Sequence, residues 1–573
     1  MTTSETIEGR ANEALTMTTR QRLTLILLLG ANFMLSADFS ILNVALPMVG
    51  KAVGLAVDDL PWVTTTFALP SAGLSLLFGR LGDLYGRRRI FLAGLSLLAV
   101  ASLLGGISTG SALLLVARTL QGVATAMTAP AALALLITTF ADESQRARVL
   151  GWSGALLSGG FTFGAIAGGM LVGALSWRWA FFVNVPVALM ILVLTPFVIP
   201  TAHPREGVRL DVPGAASVTL ALFATVFGIT DRFLPVLAVG LILFVLFFQI
   251  ERRTAAPLVA IEMLKRSSVR WGNLAALTIF SMEAALVFLM TLYLQDVLHL
   301  GPVTTGLIFG VPGLSSVAAG VVAGRIIERR GAHTVLLAAI LVQGGLTAPL
   351  ILLGAQSNSL RLLVPALFIG FFGHITAVVA ATVTATSDVP DTHKGLASGL
   401  VTTSQRVAVT VGIPVLGAVM GIRANLLAGI QLALAADVVL TLTAAVIIWA
   451  GLNRSRESRS RVYAEIRCEP PPTTRWDGRE RSPTSSLSRA LKSSGIARKA
   501  NRGASAMTQR NELLKHYQTA LYALNRAHGV LLDHDDGIPD QDAWSDRTFA
   551  LFVDVGTAFV ALSKGTAPPA REA

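Results

Sequence analysis

Three ionisable side chains lie deep within long apolar runs, and their types suggest proton chemistry. Asp38 sits in LSADFSILNVALP, Leu35 to Pro47; Arg118 opens RTLQGVATA, Arg118 to Ala126; Glu283 lies about thirteen residues into the ninth apolar run. An aspartate near the centre of a membrane helix costs about 2.5–3.5 kcal/mol even on the lenient insertion scale, so it faces a cavity or a partner. Withdrawal from water disfavours the charged form of a carboxyl group. Asp38 is therefore a candidate proton carrier, and Glu283 a second candidate for proton or cation handling. The bland alternative for Asp38 is an acid hydrogen-bonded between helices. The Arg118 guanidinium is permanently charged and suited to pairing with Asp38, or else it snorkels to the interface. Gln121 lies three residues on, on the same helical face, as a polar cavity lining would. His374, Phe67 and Met282 are weaker cavity candidates, for which ordinary core packing is the alternative. No GxxxxGK[ST] loop, metal-ligand spacing or nucleophile–base pair occurs, so the expectation is no enzyme, no metal and no cofactor, with energy drawn from a proton gradient.

The elements that hold these residues are membrane helices. The chain has 573 residues, 53% hydrophobic and 14% charged, with a mean hydropathy of +0.64. A soluble domain carries about 25% charged residues. The net charge of +12 is unevenly spread: residues 1–452 hold 27 Lys and Arg against 20 Asp and Glu, residues 453–510 hold 14 against 5, and residues 511–573 hold 5 against 9. The whole-chain basicity is thus not a nucleic-acid signal. The single cysteine, Cys468, excludes an intrachain disulfide. At about 20 apolar residues per span, fourteen spans are expected: 22–47, 60–80, 90–108, 112–139, 148–174, 179–199, 211–230, 233–250, 270–294, 304–325, 333–354, 361–385, 395–422 and 426–451.

Between the second and third runs lies GRLGDLYGRRR, Gly79 to Arg89, with Arg87, Arg88 and Arg89 in succession. Its skeleton returns in GRIIERRG: Gly79, Arg80, Asp83 and Gly86 recur 245 residues later as Gly324, Arg325, Glu328 and Gly331. Such a repeat marks a membrane protein of two related halves. The expected organisation is a cytoplasmic segment 1–20, a six-helix half 21–200, two inserted helices 211–250, a second six-helix half 268–451, a basic disordered linker 453–510 and a small helical hairpin 511–573. With the N-terminus inside, the loops of one face collect Arg87, Arg146, Arg205, Arg252, Lys265 and Arg329, whereas the other face has only Lys51, Arg178, Arg232, Arg361 and Arg423. That asymmetry places both termini in the cytoplasm. In the fifth run, Gly160, Gly164 and Gly168 stand four apart, and Gly169 and Gly173 likewise, which lets helix backbones touch. Aligning LLV at 114–116 with LLV at 362–364 sets Ala366 opposite Arg118, so the repeat keeps the fold and not this charge.

At these residues the chain resembles the major facilitator superfamily, and within it the fourteen-span drug:proton antiporters of the multidrug and quaternary-ammonium exporter type. Residues 79–89 match the family loop G-x-L-x-D-x-x-G-R-[RK]-[RK], residues 118–122 match R-x-x-Q-G, and Leu35 to Pro47 match the first-helix motif. SWRWAFFVNVP at 176–186 and YLQDVLHLGPVTTGL at 293–307 agree as well, so the likeness covers about residues 20–450. The resemblance implies an all-α fold of two six-helix halves plus two central helices, with a cytoplasmic C-terminal extension. It implies alternating access, proton coupling at Asp38 and Arg118, and a cytoplasmic gate built by Gly79, Asp83, Gly86, Arg87, Arg88, Gly324, Glu328 and Gly331. The activity it implies is proton-driven export of small amphiphilic or cationic drugs from a monomer in the cell inner membrane, its partners being the substrate, protons and lipid. Export of a self-made antibiotic or metabolite is the alternative within transport; a sensor or scaffold with its output in the tail is the alternative outside it. One departure stands out: the fifth-helix motif ends G-P-x-x-G-G in the family and GAIAGG here, with Ala165 in place of the kinking proline.

Overall fold

The computed structural model describes residues 17–140, 142–200, 211–254 and 261–468, all within one compact unit, Met1–Glu469. The segment 1–16, most of the stretch read as a linker, and the whole of 511–573 lie outside the described residues. Among the described residues there is no β-strand. Thirteen helices are long and apolar enough to cross a membrane, and one bent pair makes a fourteenth.

The spans follow in the expected order. α1 is Thr19–Val53, and α2 is the bent pair Leu60–Gly73 and Ser75–Tyr85. Then come α3 (Arg87–Gly106), α4 (Ser111–Thr139), α5 (Glu143–Ala174) and α6 (Trp179–Val198). The middle pair is α7 (Val212–Thr230) and α8 (Leu234–Arg253). The second half holds α9 (Ser267–Val297), α10 (Pro302–Arg330), α11 (Ala332–Leu352), α12 (Ser357–Thr386), α13 (Asp391–Met420) and α14 (Leu426–Cys468).

Local chemistry sets several ends. Thr18 and Gln21 form a reciprocal capping box at the start of α1, and Gly54 ends it in the left-handed region. Asp142 and Asp211 cap α5 and α7 by accepting from the backbone N–H of Gln145 and Gly214. α2 bends by 46° at Leu74, directly after Pro70 and Gly73, where a missing N–H and a missing side chain weaken the helix. The apolar run alone reads as one straight span, 60–80. α14 continues to Cys468, beyond the composition change at Asn453 that reads as the start of a linker.

The repeat in the loops is a repeat in shape. Gly86 (φ 101°) is the single residue between α2 and α3, and Gly331 (φ 79°) the single residue between α10 and α11. Positive φ is open to glycine at little steric cost. The same 245-residue offset relates Asp38 to Glu283, Ser102 to Thr347 and Lys51 to Asp296.

Helices α1–α6 and α9–α14 pack as two bundles that meet along α2–α13 and α5–α10, with α1 touching α9. Glycines allow the closest approaches. A Cβ at Gly160, Gly164 or Gly168 would lie 2.5–2.7 Å from the α1 backbone at Phe33, Ala37 and Ile41; one at Gly169 would lie 2.5 Å from the Pro302 carbonyl of α10. α5 is therefore wedged between the halves by two glycine stripes. The inserted α7 packs on both α2 and α13, so it covers the seam, while α8 is largely exposed to lipid.

The two ends of the bundle differ. At the Lys51 end, one continuous core joins Val49, Leu60, Leu114 and Phe181 to Phe288, Leu292, Leu350 and Met420. At the arginine-rich end the cores are separate: Leu28, Phe91, Leu135 and Ile191 belong to the first half, and Ile279, Leu336, Ile340 and Ile448 to the second. The apolar cores of the halves are thus joined at the Lys51 end and separate at the arginine-rich end.

Candidate functional site

Asp38 and Arg118 meet inside the first half. Both side chains are buried, at 2% and 1% exposure, with Asp38 Oδ2 3.6 Å from Arg118 Nη1. Asn184 Nδ2, from α6, donates to Asp38 Oδ1. Arg118 Nη1 donates to Gln121 Oε1 at 2.8 Å, and Arg118 Nε to the Val63 carbonyl of α2 at 3.1 Å. Gln121 Nε2 donates in turn to Ser102 Oγ at 2.9 Å. The Phe67 ring lies under the guanidinium, 4.3 Å from centroid to carbon, a cation–π contact strengthened by the absence of water. Five helices, α1, α2, α3, α4 and α6, thus converge on one ion pair.

Its geometry leaves room for a proton. A charge-assisted hydrogen bond is about 2.7–2.9 Å long, whereas this pair stands at 3.6 Å and Asp38 Oδ2 has no hydrogen-bond partner among the described residues. One carboxyl oxygen is held by Asn184 while the other is open to protonation. Arg118 compensates the ionised form, which a carboxylate buried alone would not tolerate.

Glu283 is not part of this network. It lines a separate cleft inside the second half, between α9, α11 and α12, with Gln343, Thr347, Ala366, Phe371 and His374. Among the described residues it has no ion-pair partner. His374 packs edge-on against Phe280, centroids 5.3 Å apart, and its Nδ1 has no hydrogen-bond partner among the described residues. The expected substrate cavity of Gln121, Phe67, Met282 and His374 is therefore not one cavity. Gln121 and Phe67 are committed to Arg118, Met282 is buried, and His374 lies in the Glu283 cleft, because each half closes around its own acid.

The gate residues are intact within the first half. Asp83 Oδ1 pairs with Arg87 Nη2 at 2.7 Å and accepts from Arg87 Nε at 2.8 Å; Arg87 Nη1 donates to the Ala134 carbonyl and Arg88 to the Pro196 carbonyl. Each of these contacts stays within α1–α6. Gly79 faces Pro130 of α4, with a Cβ there 3.9 Å from that ring. In the second loop Glu328 is exposed and has no ion-pair partner among the described residues; Gly324 is open on all sides. At the opposite end Lys51 Nζ contacts Asp296 Oδ1 at 2.6 Å, joining the halves, and Gln295 Nε2 donates to the Val44 carbonyl at 2.7 Å. Asp296 lies in a π-helical turn, Tyr293–Val297, a local widening frequent at functional sites.

Sequence reasoning missed Asn184, Ser102, Lys51 and Asp296 as site residues. The 245-residue offset, applied beyond the loops, would have found Asp296 as the counterpart of Lys51. Asp437 of α14 was missed too: it is 2% exposed and its Oδ1 has no partner among the described residues. Ala165 sits within the continuous helix α5, its carbonyl against Gly306 of α10.

Comparison with known proteins follows the same lines. A family model described as Major Facilitator Superfamily matches residues 28–413. The puromycin resistance protein Pur8 of Streptomyces alboniger is 33% identical over 407 residues, 69% of this chain and 81% of that protein. The cephamycin export protein CmcT of Amycolatopsis lactamdurans is 34% identical over 435 residues, 72% of this chain and 87% of its own. Among solved structures, the nucleoside transporter NupG superposes with a TM-score of 0.55 at 12% identity, covering 75% of this chain and 99% of that one, a likeness of fold alone. With its paired halves, glycine-hinged loops and fourteen spans, the chain belongs to the major facilitator superfamily.

Proposed function

We propose that this multi-pass membrane protein is a secondary active exporter that couples inward proton movement to expulsion of small amphiphilic compounds. The observation that carries this reading is the Asp38–Arg118 pair: a buried carboxyl group with one open oxygen and one fixed counter-charge. Protonation at Asp38 Oδ2 neutralises the acid and releases Arg118 from it, changing how α1 and α4 hold together. The membrane is the plasma membrane of the cell, with both termini in the cytoplasm, since the arginine-rich loops lie on the side of the termini. The conformation described is then open to the cytoplasm and closed outside, the state that loads an exporter. Asp83 and Arg87 bond within the first half in this state and would meet the second half when the cytoplasmic end closes. The protein works as a monomer, without cofactor or metal.

The relatives, one named for resistance to puromycin and one for export of cephamycin, support a narrow alternative: export of one dedicated metabolite. Everted membrane vesicles test the proposal. An imposed gradient, acid inside, should drive accumulation of puromycin or of an amphiphilic dye, and a protonophore should abolish it. Vesicles with the protein that accumulate no compound of a broad panel above protein-free controls would contradict it.

A further inference from the structure

The cleft around Glu283 is the second half's version of the Asp38 site with its arginine removed. Glu283 stands where Asp38 stands and Thr347 where Ser102 stands, both at the 245-residue offset. Ala366 stands where Arg118 stands by the LLV match, and three residues line one cleft. In the first half the guanidinium fills this space; in the second, truncation to a methyl group leaves it open. The opening is about 10 Å³, near the minimum for one water molecule.

We infer that this cleft binds the primary ammonium group of a transported compound, which takes the place that Arg118 holds in the first half. Three features specify the ligand. Glu283 supplies a carboxyl group that has no ion-pair partner among the described residues and that an entering ammonium group would hold ionised. Among the described residues His374 Nδ1 and Gln343 Oε1 are buried without hydrogen-bond partners, and both residues line the cleft, so an N–H donor entering it would find acceptors. The remaining wall is apolar and aromatic, including Phe371, which suits the face-on approach of a small cationic head. A metal cation would need about six oxygen ligands, more than Glu283, Gln343 and Thr347 supply. The size also discriminates: an ammonium head is as small as water, whereas a quaternary nitrogen with its methyl groups is not.

This inference rests on the export reading, and three matched dyes test it: dansylcadaverine, with a primary ammonium; its N,N,N-trimethyl analogue; and its neutral N-acetyl analogue. The assay is fluorescence titration of the full chain in lipid nanodiscs. Wild type should bind dansylcadaverine on the order of tenfold more tightly than either analogue, as one charge-assisted hydrogen bond provides. Glu283→Gln should erase that preference. Ala366→Arg should erase it too, because the introduced guanidinium fills the cleft and pairs with Glu283. Should Glu283→Gln fail to fold, Ala366→Arg, with the acid intact, carries the test alone. Equal binding of the three dyes to wild type, no binding of any, or a preference that survives in Ala366→Arg overturns the inference. Gradient-driven uptake of the N-acetyl dye without amine preference would sink this cleft alone; absence of driven uptake of any compound would sink the export reading.

Discussion

The two halves of this transporter share a fold and differ in how each treats the acid within its bundle. In the first half Asp38 has a cation 3.6 Å away and a partner in Asn184; in the second half Glu283, at the equivalent position, has neither. The backbone repeat is retained down to the positive φ at Gly86 and Gly331, while the charge at Arg118 is reduced to Ala366. The difference teaches that symmetry in such a protein supplies two equivalent sites, and that deleting one side chain turns a self-contained ion pair into an open receptor. In the proposed reading, one half holds a proton against a fixed charge and the other accepts a charge from outside.

The comparison can be broken most directly at Arg118. Arg118→Ala makes the first half like the second but leaves Asp38 enclosed by a site built for an ion pair, at a cost of about 3–5 kcal/mol. Thermal unfolding of the full chain in nanodiscs should show a large drop. Glu283→Gln, which breaks no pair, should leave the melting temperature nearly unchanged. Equal losses in the two variants would mean that the halves are not differently built. A smaller effect is expected at the wedge that presents α1, and Asp38 with it, to the site. Gly164→Val places a side chain 2.5 Å from the Ala37 carbonyl and should cost about 1–3 kcal/mol. Gly320→Ala on α10, with open space around it, should be close to neutral in the same measurement.

How far was this legible beforehand? The spans were, because unbroken apolar length is a local property; the bend at Leu74 was less so, although Pro70 and Gly73 were in plain view. Asp38 and Arg118 stood out because ionisable groups in apolar runs are costly and therefore rare. What the linear order hides is which groups meet. Asn184 reaches Asp38 across 146 residues and Gln295 reaches Val44 across 251; no spacing rule connects them. Glu283 was legible as a second deep acid, but depth along a helix says nothing about the bundle to which an acid turns. His374 and Gln121 failed as one cavity for the same reason. The cleft itself depends on an absence, the missing arginine at 366, which only the pairing of the two halves reveals.

The smallest effect is expected at the outer seam. Lys51 and Asp296 are also counterparts under the 245-residue offset, and here the two equivalent positions contact each other. Lys51 is 72% exposed, so Lys51→Ala should weaken closure by only about 0.2–1 kcal/mol, a change of about 1.4- to five-fold in the ratio of outward- to inward-open molecules. Distance distributions between spin labels across the outer ends of α1 and α9 would report it. No change would assign closure to the shared apolar core alone.

The central claim is that Asp38, balanced by Arg118, carries the transported proton. Substrate-dependent proton release from everted vesicles containing Asp38→Asn measures it most directly. Wild type should release protons when a transported compound is added, while Asp38→Asn should release none yet still exchange labelled for unlabelled substrate across the membrane. Proton release from Asp38→Asn equal to that of wild type would contradict the account.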